Sequence, residues 1–313
     1  MNTFVWLTWR QHRWTILATA SLALLAAFTL VSTEGGKVGS MMMAGFYGLL
    51  AQLLFGGVIS MFWGAPLIAR ELEERTYFVA WGQDVTPTKW LRGKMLVLGP
   101  LAVLLGALVG LGDGFGGPQE SWGMFEASPF VQGGYAIFGL ALGVFIGLLS
   151  RHVVTAMAAT LVFYTLARVL PAVLLRDHYL PSKRDIARWE STPVVPHRGL
   201  EIGNGFVGAD LRPVSVPDKC AELPNPNSCM RNTKTAIGTY VDYQPIERLG
   251  LFQFIEFIVF VLLAGVLFAV TFRLLRRGGG WKPSRSHRRI DSVAEPAQTV
   301  QSTPDTAAAH AEG

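Results

Sequence analysis

The chain has 313 residues, of which 50% are hydrophobic and only 16% are charged. A soluble domain carries about 25% charged residues, so that class is excluded, and the missing charge is accounted for by several runs of roughly 18 to 25 apolar residues, each long enough to span a bilayer core of about 30 Å. The net charge of +5 is not a nucleic-acid signal, because much of the excess Lys and Arg flanks the apolar runs, where it fixes topology.

The start of the chain, Trp6 to Trp14, reads WLTWRQHRW, with rings alternating with Arg10, His12 and Arg13. It is the composition of an interfacial segment, either a topological anchor or a short amphipathic elbow helix on the inner face. No small-residue cleavage site is visible, so the first apolar run is expected to stay as span 1, from Thr15 to Ser32. A short connector holding Glu34 and Lys37 leads to span 2, Ala44 to Ile68, in which Gly45, Gly48, Gly56 and Gly57 permit close backbone approach. Pro66 should bend or end that helix.

The next segment, 69–94, carries Arg70, Arg75, Lys89, Arg92 and Lys94, which places it in the cytoplasm. Span 3 runs from Met95 to Gly112, with Gly106 and Gly110 in GxxxG spacing. The loop 113–130 holds Asp113, Glu120 and Glu126 and no cation, so it belongs outside. Span 4, Val131 to Leu149, has Gly139, Gly143 and Gly147 on one face, a tight helix contact made either within the chain or to a second copy. Arg151 and His152 form a short inner turn before span 5, Val153 to Leu175.

Residues 176–250 are rich in Pro, Gly and Asn and contain no membrane-length run, so they are either a small folded unit or a functional loop. Span 6, Leu251 to Phe272, ends on Arg273, Arg276 and Arg277, and the tail 278–313 has the composition of a disordered segment. Every connector fits one alternation. The expected architecture is an all-α membrane protein with six transmembrane helices, both termini cytoplasmic, and an extracellular insert between helices 5 and 6. Residues 1–175 hold spans 1–5 and the cytoplasmic segment 69–94, residues 176–250 the insert, residues 251–277 span 6, and residues 278–313 the tail.

No catalytic pattern is present. There is no GxxxxGK[ST], no HExxH and no GxSxG, and the six histidines do not cluster as metal ligands. The chain is therefore not expected to be an enzyme or to hold a metal or cofactor.

Residues 69–94 resemble a pattern in the permease subunits of type 2 ABC exporters: RExExGT, a short hydrophobic stretch, a polar turn and a Lys opening the next span. Arg70, Glu71, Glu73 and Thr76 match it, followed by Tyr77 to Trp81, Asp84 to Thr88, and Lys94. GAPLIARELEERTYFVAWGQ and WLTWRQHRW are similar to an actinobacterial branch of that family, and YQPIERLGLFQFIE extends the likeness more weakly into span 6. One departure is Arg75, where the family often has Gly. The resemblance implies a coupling helix, with Arg70, Glu71, Glu73, Arg75, Thr76 and Trp81 gripped by a separate ATP-binding subunit that carries ATP and Mg. It also implies a homodimer or heterodimer of permeases in the plasma membrane, with lipid as the other partner. A self-contained secondary transporter, or a membrane-anchored sensor or scaffold acting through 176–250, are the alternatives.

Two ionisable residues fall within spans, Arg168 and Glu256. Counted at 1.5 Å per residue from the outer ends of spans 5 and 6, their depths agree within about 3 Å. They are expected either to pair in the outer half of the protein or to sit at its wet rim, since a bilayer-buried charge is costly when alone. Cys220 and Cys229, outside on this topology, are placed to form a small disulfide.

Overall fold

The computed structural model describes residues 2–32, 50–76, 86–111, 122–222 and 224–277. Trp81, Asp113, Glu120, the first residues of the expected span 2 and the tail 278–313 lie outside them. The described chain is mostly helical, and five of its helices are long and apolar enough to cross a membrane.

Helix α1, Asn2–Ser32, joins the aromatic segment and the expected first span in one continuous helix. A separate elbow helix is not what forms. No Gly or Pro interrupts residues 10–20, and the side chains reinforce the helix there: Thr15 Oγ1 donates to the His12 carbonyl (2.8 Å) and Thr19 Oγ1 to the Thr15 carbonyl (2.7 Å).

Helix α2, Leu50–Glu73, does not end at Pro66. Five residues, Ser60–Gly64, form a π-helical turn just before it. Proline in a helix loses one backbone bond and crowds the carbonyl four residues back. A π turn widens the ladder at that place, and the helix resumes through Ala65–Glu73. Helix α3 likewise starts at Pro87 rather than Met95, and runs to Leu111. Pro87 has no N–H to satisfy, and the Thr86 hydroxyl accepts the Lys89 N–H (3.4 Å), so the start is capped. The helices on either side thus absorb most of the charged residues of the expected 69–94 connector.

Helix α4, Pro129–Ser150, is the most enclosed of the spanning helices and packs on α2 and α3. Its glycine face settles against α2. A Cβ at Gly139 would run into the Gly56 carbonyl, one at Gly143 into the Ser60 carbonyl, and one at Gly147 into the Ala65 carbonyl. The contact is internal to the chain. Gly106 and Gly110 of α3 meet α4 in the same way, at Gln132 and at Ser128. Arg151, with φ 60°, closes α4 by donating its N–H to the Gly147 carbonyl, and α5, Val153–Leu174, follows at once. The last long helix, α8, spans Leu249–Arg276 and also packs on α4. Residues 70–76 and 152–153 thus share one end of the bundle, called here the motif end. Residues 126, 168 and 256 lie toward the other, the insert end.

The insert corrects the all-α expectation. It contains an antiparallel four-stranded sheet in the order β1-β4-β2-β3: β1 Lys183–Arg188, β2 Leu200–Val207, β3 Pro213–Val214 and β4 Gly238–Gln244. Two short helices, α6 Asp218–Ala221 and α7 Pro226–Asn232, are joined by the Cys220–Cys229 disulfide. Cys220, Met230 and Ala236 form a small core, with Trp189, Phe206 and Val214 against it. The strands are short and half-exposed, and β2 carries two glycines, which is why their period-two pattern is faint beside the Pro- and Asn-rich turns. At the base of the insert, Gln244 at the end of β4 donates to the Leu180 carbonyl (2.8 Å), and Arg248, just before α8, donates to the Pro181 carbonyl (2.8 Å).

Candidate functional site

At the motif end, the sequence R-E-L-E-E-R-T ends α2 in a compact turn. Arg75 adopts φ 56°, the left-handed conformation at which helices commonly end on glycine. The arginine standing where the family often has Gly therefore keeps the same backbone turn, at a steric cost of roughly 1–2 kcal/mol. Thr76 donates to Glu71 (2.6 Å) and folds the chain back on the helix. Arg70 and Glu74 form an exposed i,i+4 pair (2.8 Å), which adds little.

The other two carboxylates reach neighbouring helices. Glu71 lies 4.0 Å from Lys94 of α3, a lysine only 7% exposed whose ammonium stands 4.1 Å from the Trp90 ring. Glu73 accepts the Val153 N–H at the start of α5 (2.7 Å), with His152 Nδ1 at 3.8 Å. His12 of α1 packs close by. Burial, with Lys94 and Arg70 adding to it, lowers its pKa to about 4, so it is neutral at physiological pH. The motif thus ties α2 to α3 and α5. Arg70, Glu73, Arg75 and Thr76 are exposed, whereas Glu71 is half-buried.

At the insert end, Arg168 and Glu256 come together but do not form a simple pair. Arg168 Nη1 is 4.0 Å from Glu256, while its Nη2 donates to Glu126 at 2.7 Å. Arg176 bridges both carboxylates, bonding Glu126 (2.7 Å) and Glu256 (3.0 and 3.2 Å). The Tyr135 hydroxyl donates to Glu256, and the Tyr179 hydroxyl does so at 3.4 Å. Arg168 also lies over the Tyr135 ring (3.4 Å) and Arg176 over Phe125 (3.9 Å).

Two guanidiniums and two carboxylates leave no net charge. Glu126, Glu256 and Arg176 each take part in two or more hydrogen bonds and Arg168 adds one to Glu126, which helps make burial in a bilayer tolerable. Arg168 is 3% exposed and Glu256 fully buried. Outside the spanning helices, burial pushes Glu126 upward, but Arg168 and Arg176 outweigh it and hold its carboxyl below the usual range. Burial and the Glu256 charge push Tyr179 up to about 12.

Glu126, Arg176, Tyr135 and Tyr179 are not legible from the spans alone. Glu126 lies a few residues before span 4 and Arg176 directly follows span 5, so both fall in connectors that a depth count along the spans does not reach. Among the described residues, no group of three or more His, Cys, Asp or Glu is placed to hold a metal.

Residues 36–176 match the model of a family described as ABC-2 membrane transporter related. The matched stretch, just under half of the chain, includes the motif turn, the glycine face of α4, and Glu126, Arg168 and Arg176. No curated protein and no solved structure matches. Over that stretch the chain is similar to ABC-2 membrane transporters, and five of its described helices are long and apolar enough to cross a membrane.

Proposed function

We propose that this chain is the membrane-spanning subunit of an ATP-driven ABC exporter in the plasma membrane. Helix α1 joins the five apolar helices as a sixth span, with the motif end cytoplasmic and the insert extracellular. Separate ATP-binding subunits hold ATP and Mg and dock on the segment that follows α2, and two permease bundles, identical or related, complete the pathway. The observation that carries this reading is the motif turn: an exposed, sharply folded R-E-x-E-x-R-T segment braced on two neighbouring helices, inside the stretch that matches the ABC-2 family. A contact that must transmit force needs such bracing, since a slack loop would absorb the movement.

Reconstitution tests it. The tagged chain is co-expressed with an ATP-binding subunit from an adjacent reading frame and purified in mild detergent. Co-purification, with ATPase activity that depends on the permease, is the expected result. A chain that purifies alone under conditions that preserve membrane complexes would defeat the reading.

A second reading has one observation in its favour: the insert is a folded unit with its own core and disulfide, more than a connector requires. In that case the insert is a sensor domain, and ligand binding by the insert without any ATPase partner would identify it.

A further inference from the structure

The connection made by Glu73 runs inward, and this gives it a role within the chain. We propose that Glu73 is a positioning residue that caps α5 and makes this helix move with the motif turn, as a rod whose far end is the buried charge network. The proposal deepens the coupling reading and rests on it only for the origin of the movement.

Three observations carry it. First, α5 lacks a cap of its own. Its N-cap residue, His152, makes no side-chain cap bond, and the Glu73 carboxylate of α2 takes that place by accepting the Val153 N–H at 2.7 Å. A carboxylate at a helix N-terminus is favoured both as an acceptor and by the helix dipole.

Second, α5 is held along its length by one narrow face. Its buried residues are a single stripe, Ala156, Thr160, Tyr164 and Arg168, one turn apart. By contrast, α2 and α4 meet backbone to backbone along three glycines and form a fixed block. Along the stripe and on the π turn of α2, hydrogen bonds are unmet: Thr160 Oγ1 and Ser60 Oγ are buried without a partner among the described residues. Buried polar groups are normally satisfied, so these unmet ones leave room for a second arrangement of α5 against the block.

Third, both ends of the rod are tied by charge. Arg168 and, just past the helix, Arg176 bond Glu126 on the segment leading into α4 and Glu256 on α8. A shift of α5 must therefore rearrange that network.

Hydrogen exchange on the full chain in detergent, with no partner present, tests this with Glu73→Ala and Glu73→Gln. In Glu73→Ala, amides 153–156 should exchange about fivefold faster, the effect of losing a cap, and amides 174–179 should also speed up. Glu73→Gln keeps an acceptor oxygen and should stay near wild type at 153–156. Unchanged exchange at 153–156 in Glu73→Ala overturns the cap. A change there without one at 174–179 overturns the rod. Loss of the ATP-binding subunit from the assembled complex in both variants, with exchange unchanged, would assign Glu73 to the partner contact instead. Because the exchange arm needs no partner, it stands or falls independently of the exporter reading.

Discussion

The glycine face of α4 gives the sharpest quantitative prediction. In Gly143→Ala the new methyl group would meet the Ser60 carbonyl, the Ala65 nitrogen at 2.7 Å and the Gly64 Cα at 2.8 Å. All three are backbone atoms, so no side chain can swing aside, and α2 must move off α4 by several tenths of an ångström along a contact shared with Gly139 and Gly147. Overpacking of this kind costs about 1–3 kcal/mol. Gly265, in α8, is the matched control, since a Cβ there meets nothing within 4 Å. With space available, Gly265→Ala gains helix propensity of up to about 1 kcal/mol. Gly143→Ala gains the same propensity, so the two variants should differ by the overpacking cost alone, roughly 1–3 kcal/mol. At about 2–4 °C per kcal/mol, that is a gap of at least roughly 2 °C in the midpoint of thermal unfolding, read at one scan rate in one detergent. Midpoints within a degree of each other would refute the tight α2–α4 contact.

The buried network makes a second prediction. Glu256→Ala leaves Arg176 short of one carboxylate and two tyrosine hydroxyls without their acceptor, a loss of about 3–5 kcal/mol. Replacing Arg176 and Glu256 together by Leu should recover part of that in the same unfolding assay, and a strictly additive double variant would show that the two do not act as a pair. The pH dependence has a definite sign. Because its two arginines hold the Glu126 carboxyl below the usual range, the stability it contributes is present above the ordinary carboxylate pKa of about 4.3 and is lost as pH falls through its depressed value. Acid unfolding profiles of the wild type and Glu126→Gln should accordingly converge at low pH. The disulfide closes a loop of sequence separation 9, for which chain entropy gives about 2–3 kcal/mol. Cys220→Ser with Cys229→Ser should raise protease sensitivity within the insert and leave the helical bundle intact.

Much of the bundle can be read from the chain because bilayer length and flanking charge are strong, local signals. The helix α5, Val153–Leu174, falls within a residue of the expected span 5. Where expectation and structure part, local rules are overridden by context. Pro66 is accommodated by a π turn, and α2 and α3 run on through the charges of residues 70–73 and 87–94, of which Glu71 and Lys94 face each other and Glu73 meets α5. The sheet of the insert is obscured by short strands whose pairings, such as Lys183 with Tyr243, join residues some sixty positions apart. At the insert end, depth counting brings Arg168 and Glu256 to one level, but a count along helices carries no information about loops, so the arrival of Glu126 and Arg176 is beyond its reach. At the motif end, the spacing marks Glu73 as important without saying that its carboxylate turns toward α5.

The central claim is that the segment after α2 is gripped by an ATP-binding subunit. Arg75, exposed at the tip of the turn, is the position from which to test it directly. A photo-crosslinking residue placed there, in the full chain co-expressed with the candidate subunit, should yield a crosslink to that subunit in native membranes. The account predicts that adduct, and predicts that ATP changes its yield as the coupling segment moves. A complex that co-purifies intact yet gives no adduct from position 75, while positions on the insert do crosslink to the same subunit, would contradict it.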